Sequence, residues 1–311
     1  MTEDEFDRVI DSYPYPIASI FSRLGTVECL DPGDRRLNCI LDTAEAASRF
    51  LCALVLCLCR DQGETQSEAA PLSPDFQKNL QRPSWGHWVD FSRDGLKWLA
   101  QRATPNPLAG QLADFFFARI PKESPAILAL GRLLTARNDI AHKRTPAHYA
   151  PQLEALCHQT YADLETLIKA LGFFADYNLT FVDQINVWKR RRHEPDFRHR
   201  LVRIRADRSD FRAAEKTYGE PLETRTVIFR QGDTGPYLNL DPLLVYEHSS
   251  GDAPDLFFFN GMKNAQAIRY VACKRGGEFD SAKSARAADL AEEMQILLRV
   301  LSPAAERDYV E

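Results

Sequence analysis

Between residues 34 and 60, apolar side chains return every three or four positions, at Leu37, Ile40, Leu41, Ala44, Ala47, Leu51, Leu54, Val55 and Leu58. At 3.6 residues per turn that spacing gathers them on one stripe, so the segment predicts a long buried helix. The same period over 148–176, carried by Leu153, Leu156, Leu164, Leu167, Ile168 and Leu171, predicts a second long helix. Shorter helices are expected over 16–24, 84–102, 107–120 and 124–141. Residues 61–74, rich in Gln, Glu, Ser, Ala and Pro, read as a surface loop.

After residue 178 the period shortens toward two. Strands are predicted over 179–189, 197–205, 224–230, 243–247, 255–259 and 267–273, separated by turn signals such as Gly232-Asp233 and Gly276-Gly277. A final amphipathic helix over 284–301 carries Ala287, Leu290, Ala291, Met294, Leu297, Leu298 and Leu301. The expected fold class is α+β. An all-α helical bundle spans 1–178, a small, mainly antiparallel β-rich domain spans 179–280, and a C-terminal amphipathic helix lies within 281–311. No internal repeat is visible.

Composition narrows this little. Hydrophobic content of 44% and charged content of 27% are those of a soluble globular protein with a normal core. Seven cysteines without regular spacing argue against a disulfide framework, and Cys52, Cys57 and Cys59 sit in an apolar helical run as small hydrophobes. No CxxC pair exists, so no zinc site and no other metal is expected. The acidic start lacks a signal-sequence pattern, and the apolar run 50–59 is too short to span a bilayer. A cytoplasmic protein without membrane association is the expectation. No Gly-rich phosphate loop and no Ser or Cys nucleophile motif appears, and no cofactor is expected.

Chemistry concentrates in one run, Arg137-Asn138-Asp139-Ile140-Ala141-His142, followed by Lys143 and Arg144. Leu130, Leu133, Leu134 and Ile140, with Ala129, Ala136 and Ala141, give it a helical apolar setting, and Pro146 and Pro151 require the helix to stop at or soon after His142. Arg82 and His87 share the Arg-to-His spacing, but Pro83 and Gly86 interrupt any helix between them. The run resembles the motif of the HEPN superfamily, all-helical domains with an Arg, usually a polar residue after it, and a His a few positions later near a helix end. The resemblance covers roughly residues 1–178, makes the predicted bundle HEPN-like, and leaves the β-rich part without a relative.

Many HEPN domains are metal-independent ribonucleases, and the residue types suit that chemistry. RNA carries its own nucleophile in the 2′-hydroxyl, so a catalyst needs to move protons and stabilise charge on the phosphorane. His142 is the expected acid or base, Arg137 the phosphate ligand, and Asn138, one turn before His142, the residue that orients the imidazole or substrate. Lys143 and Arg144 extend the positive surface. Because one chain supplies one such His, the resemblance implies a homodimer with a composite site, products ending in a 2′,3′-cyclic phosphate, and a setting as a bacterial toxin or antiviral-defence effector, restrained or joined by an antitoxin or defence-complex subunit. The alternative is a catalytically silent HEPN scaffold that binds a protein partner in a defence or signalling complex.

A second feature is a basic run. Residues 189–212 hold ten Lys/Arg against four acids, a local net of +6 in a chain whose net is -5. The alternation of Arg198 and Arg200, then Arg203 and Arg205, is expected to place several guanidinium groups on one strand face, either to bind RNA phosphates or to pair with the acidic helical half. Trp85, Trp88, Phe91 and Trp98 are expected to be core, His87 to be satisfied locally, and 257–259 to form a buried strand.

Overall fold

The structure, a computed structural model, describes residues 1–68, 70, 72–102, 106–141, 150–206, 211–248, 254–273 and 277–302. The chain opens with α1 (Glu3–Ser12), α2 (Tyr15–Phe21), the short α3 (Val27–Leu30), the long α4 (Asp34–Gln66), α5 (Phe76–Gln81), α6 (Trp85–Leu99) and α7 (Pro107–Phe116). A small ribbon, β1 (Phe117–Arg119) and β2 (Lys122–Glu123), leads into α8 (Pro125–Ala141) and α9 (Ala150–Ala170). Strands follow as β3 (Tyr177–Trp188), β4 (Asp196–Arg203), β5 (Ala213–Tyr218), β6 (Val227–Gln231), β7 (Tyr237–Asn239), β8 (Leu244–His248), β9 (Pro254–Met262), β10 (Ile268–Ala272) and β11 (Glu278–Asp280), and α10 (Ala287–Leu301) closes the described chain. The class is α+β: a helical region, then antiparallel sheets, then a helix.

α4 is the axis of the helical part. Its buried residues run from Leu37 to Gly63 and occur on every side, as expected of a helix enclosed by neighbours, here α2, α6, α9 and α10. This enclosure explains a departure from the sequence expectation. Residues 61–66, predicted as loop, continue the helix, because Gln62 and Gly63 are buried while Thr65 bonds the Asp61 carbonyl at 2.7 Å. The helix stops where Ser67 takes a left-handed conformation at φ 52°. The expected helix over 107–120 also ends early, at Phe116, where the chain extends into β1. α1 was not expected. Thr2 and Glu5 close a reciprocal capping box at its start, with bonds of 3.2 and 2.9 Å.

Two antiparallel sheets pack against the helices, one in the order β5-β4-β3-β6-β7 and one in the order β11-β10-β9-β8. In the first, Phe181 faces Val202 on one side and Val227 on the other. These three, with Leu179 and Phe229, join the helical core, while Val182, Leu201, Leu222 and Ile228 make a small separate cluster on the opposite face. The main apolar core is therefore continuous from helices to strands. At its centre the Phe50 ring of α4 meets Phe174 at 5.5 Å and Phe229 of β6 at 5.4 Å, both edge to face. Trp85, Trp88 and Phe91 are buried as expected, whereas Trp98 is only half-buried, with Arg102 over its ring; Phe257, Phe258 and Phe259 lie in β9, and all seven cysteines are buried free thiols.

Candidate functional site

Ser124 starts the helix that carries the motif. Its buried hydroxyl accepts the Ile127 N–H at 3.2 Å and donates to the Phe115 carbonyl, which closes the first turn of α8. Ala126, Ile127, Ala129, Leu130 and Leu133 then turn inward. Leu133 is the last fully buried residue of α8, and Cys157 is the first of α9. Beyond them the two helices run on with their apolar side chains half covered, Leu134 and Ile140 on one and Leu153 and Leu156 on the other.

Arg137 and Asn138 lie in this stretch, Arg137 exposed and Asn138 half-buried. Arg137 makes no ion pair with any described residue. Asp139 has an interaction of its own and is not a free carboxylate. His142, Lys143 and Arg144 lie outside the described residues. The helix that carries Arg137 and Asn138 reaches Ala141, the residue before His142.

An unexpected clamp sets the register of this end. Arg132, five residues before Arg137, donates from Nε to both oxygens of Asp163 on α9, at 3.0 and 3.2 Å, and from Nη2 to Oδ1 at 2.6 Å. Asp163 is buried, whereas the Arg132 side chain is half in solvent, and the pairing raises the Arg132 pKa, chiefly through its hydrogen bonds to Asp163. A two-pronged bond between a planar fork and a buried carboxylate fixes orientation more than a point contact does. The sequence gives little notice of it, because the two residues are 31 positions apart and a polar residue beside Leu133 reads as an ordinary exposed site.

The basic run separates into parts with different surroundings. β4 pairs with β5 without a register break, so its side chains alternate strictly, and Arg198, Arg200 and Val202 share one face while His199, Leu201 and Arg203 share the other. The four arginines thus do not line a single face. Arg198 and Arg200 are exposed; Arg198 lies over the Trp188 ring at 4.5 Å, and Arg200 meets Asp183 at 3.3 Å. Arg203 donates to Asn178 Oδ1 at 2.8 Å. Arg205 reaches into the helical part and donates to the Ser12 and Ala175 carbonyls, both at 3.0 Å, in a half-buried place that lowers its pKa by desolvation.

Two other histidines, His87 and His199, have local partners. His87 Nδ1 accepts the Ser84 N–H at 3.1 Å in the cap of α6. His199 is fully buried; its Nδ1 lies 2.9 Å from the Phe197 carbonyl, and Leu222 N–H donates to Nε2 at 3.0 Å. Those bonds specify a neutral ring protonated at Nδ1, and burial lowers its pKa. Among the described residues no group of three His, Cys, Asp or Glu side chains is placed to hold a metal ion, and no helix is long and apolar enough to cross a membrane.

A buried charge network also escaped the sequence reading. Arg60 of α4 donates to the Asn239 carbonyl and to Asp61 at 2.9 Å each, to Glu293 of α10 at 3.2 Å, and to the Asp241 carbonyl. Asp241 in turn accepts from Arg286. Beside this network opens a cavity of about 410 Å³ lined by Arg60, Asp61, Glu64, Glu223, Tyr237 and Glu293, among others. Compared with protein-family models, with curated proteins and with solved structures, the chain matches none.

Proposed function

We propose that the chain is a metal-independent endoribonuclease of HEPN type, with a composite site built from Arg137, Asn138 and His142 of two copies. One observation carries the reading. Arg137 stands exposed near the end of α8 and makes no ion pair among the described residues, on a helix whose register against α9 is held by the Arg132–Asp163 clamp. An exposed guanidinium with no carboxylate paired to it among the described residues suits a phosphate. The half-covered Leu134, Ile140, Leu153 and Leu156 at the same end are apolar surface that a second copy would cover.

In this mechanism the 2′-hydroxyl oxygen attacks the adjacent phosphorus while His142 of one copy accepts its proton. The bond from phosphorus to the 5′-oxygen breaks, and His142 of the second copy supplies that oxygen with a proton. The products are a 2′,3′-cyclic phosphate and a 5′-hydroxyl, and no water, metal or redox partner is consumed. Arg137 holds the non-bridging phosphate oxygens as charge builds on them. Asn138, four residues earlier in the sequence, orients the His142 ring or the ribose. Lys143 and Arg144 add positive charge beside the site. A toxin or defence effector, cytoplasmic and restrained by a protein partner, is the setting in which such an activity is useful.

The test is cleavage of a labelled RNA in the presence of a chelator. His142→Ala is expected to keep its fold and lose at least ~100-fold in rate. In a mixture of wild-type and His142→Ala subunits, activity is expected to fall below the wild-type fraction, because every mixed dimer lacks one of the two imidazoles. Cleavage that needs a divalent ion, or that survives His142→Ala, overturns the mechanism; full activity from a monomer overturns the composite site.

A further inference from the structure

The far half of β3 leaves the body of the sheet. β6 runs beside β3 at Tyr177 to Phe181, and from Asp183 onward β3 is an edge, joined to β4 and β5 in a three-stranded arm. The face of this arm that continues the helix-facing side is uncovered, and the side chains on it are exposed: Gln184, Asn186 and Trp188 of β3 opposite Arg200, Arg198 and Asp196 of β4. Residues 189–193 at its tip, Lys189-Arg190-Arg191-Arg192-His193, are all exposed.

Charge at a sheet edge has an ordinary purpose, since lysines and arginines there discourage edge-to-edge aggregation. That purpose does not account for Trp188, which is 52% exposed, nor for Val187 beside it at 60%. Large apolar side chains at an edge invite the association that the charges would prevent. Their pairing with a basic tip makes sense if something with both flat apolar surfaces and negative charge binds there. The indole is already held in place, because the Arg198 guanidinium lies over one of its faces at 4.5 Å and pairs with no carboxylate among the described residues. A ring held by a cation on one side and open to solvent elsewhere is a stacking platform whose conformational cost of binding is partly met before the ligand arrives.

We infer that this arm binds single-stranded RNA, with Trp188 stacking on a base and Arg190, Arg191 and Arg192 holding phosphates. Duplex nucleic acid fits poorly, since its bases are stacked on one another and present no free face to an indole. The choice of RNA over single-stranded DNA rests on the ribonuclease reading, whereas the binding itself does not. Arg203 and Arg205 have no part in the platform, Arg203 because it lies on the opposite face of β4 and Arg205 because it is bonded to the Ser12 and Ala175 carbonyls.

The experiment measures binding alone, by fluorescence anisotropy of a labelled twelve-nucleotide oligouridine on the full chain carrying His142→Ala, so that the fate of the nuclease mechanism does not enter. Trp188→Ala is expected to weaken binding by about 5- to 100-fold with the salt slope unchanged, and Trp188→Phe to restore most of it. Replacing Arg190, Arg191 and Arg192 with Gln is expected to flatten the log–log salt slope by about two. Trp188, Arg190, Arg191 and Arg192 are all exposed, and circular dichroism checks the folding of each variant. Unchanged affinity in Trp188→Ala, or equal affinity for a duplex of the same length, overturns the proposal. Binding to anionic vesicles or to polyglutamate as tight as to RNA and insensitive to Trp188→Ala also overturns it, since the arm would then be a general polyanion surface.

Discussion

Replacing Phe50 with alanine tests whether helices and strands form one cooperative body. The ring is fully buried in α4 and sits between Phe174 and Phe229, so its loss opens a cavity at the joint between the two parts. Burial lost on Phe→Ala substitution, together with the unfilled cavity, costs about 3–5 kcal/mol in a well-packed core. The upper part of that range applies here, because two edge-to-face ring contacts are lost as well, each adding roughly 0.5–1.5 kcal/mol in favourable cases. A loss of about 4–5 kcal/mol is a large share of a typical total of about 5–15 kcal/mol. For a chain of 311 residues it corresponds to a fall in Tm of about 6–8 °C. The assay is urea and thermal unfolding, followed by far-ultraviolet circular dichroism and by quenching of the exposed Trp188. Both probes are expected to shift together in Phe50→Ala. A loss below about 1.5 kcal/mol, or a shift of one transition while the other stays, would refute the idea that the shared core couples the parts.

Asp163→Asn removes the charge of the α8–α9 clamp while keeping its volume, and is expected to cost about 1–2 kcal/mol, the value for a charged hydrogen bond discounted for the solvent-exposed Arg132. If the clamp also positions the motif, kcat for RNA cleavage falls with KM little changed, whereas an unchanged kcat makes it a stability element only. Burial pushes the Asp241 pKa up to about 6 in spite of Arg286 and Arg60, so the folded protein holds this proton where the unfolded chain releases it. Stability owed to this group is therefore greatest below pH ~4 and is lost as pH rises to about 6. Relative to wild type, Asp241→Asn should gain on the order of 2–3 kcal/mol between pH 4 and pH 7, read from denaturation midpoints at each pH. A constant difference across that range contradicts the assignment.

Much of the architecture was legible before any coordinates. The apolar period of α4, the shift toward alternation near residue 178 and the terminal amphipathic helix are local patterns, and each lies where the structure has the corresponding element. The capping box of α1 was equally legible at Thr2 and Glu5, though the helix is polar enough to pass for an acidic tail. The motif could be located on a helix from its apolar neighbours, and Arg137 and Asn138 lie on α8.

Other features depended on partners far away in sequence. Residues 61–66 have a loop-like composition and are helical because α10 and the sheet enclose that turn and satisfy Arg60. The arginines in and just after β4 have different fates: Arg205 is drawn to carbonyls of the helical part, Arg203 is turned to the opposite face, and Arg198 is left against an exposed indole. Arg132 met Asp163 only when α8 and α9 came together. Periodicity reports which side of an element is apolar, because that is a property of neighbours along the chain. Which charge finds a carboxylate, a carbonyl or open water is decided by the packing of elements, where burial makes an unmatched charge costly and leaves only particular pairings stable.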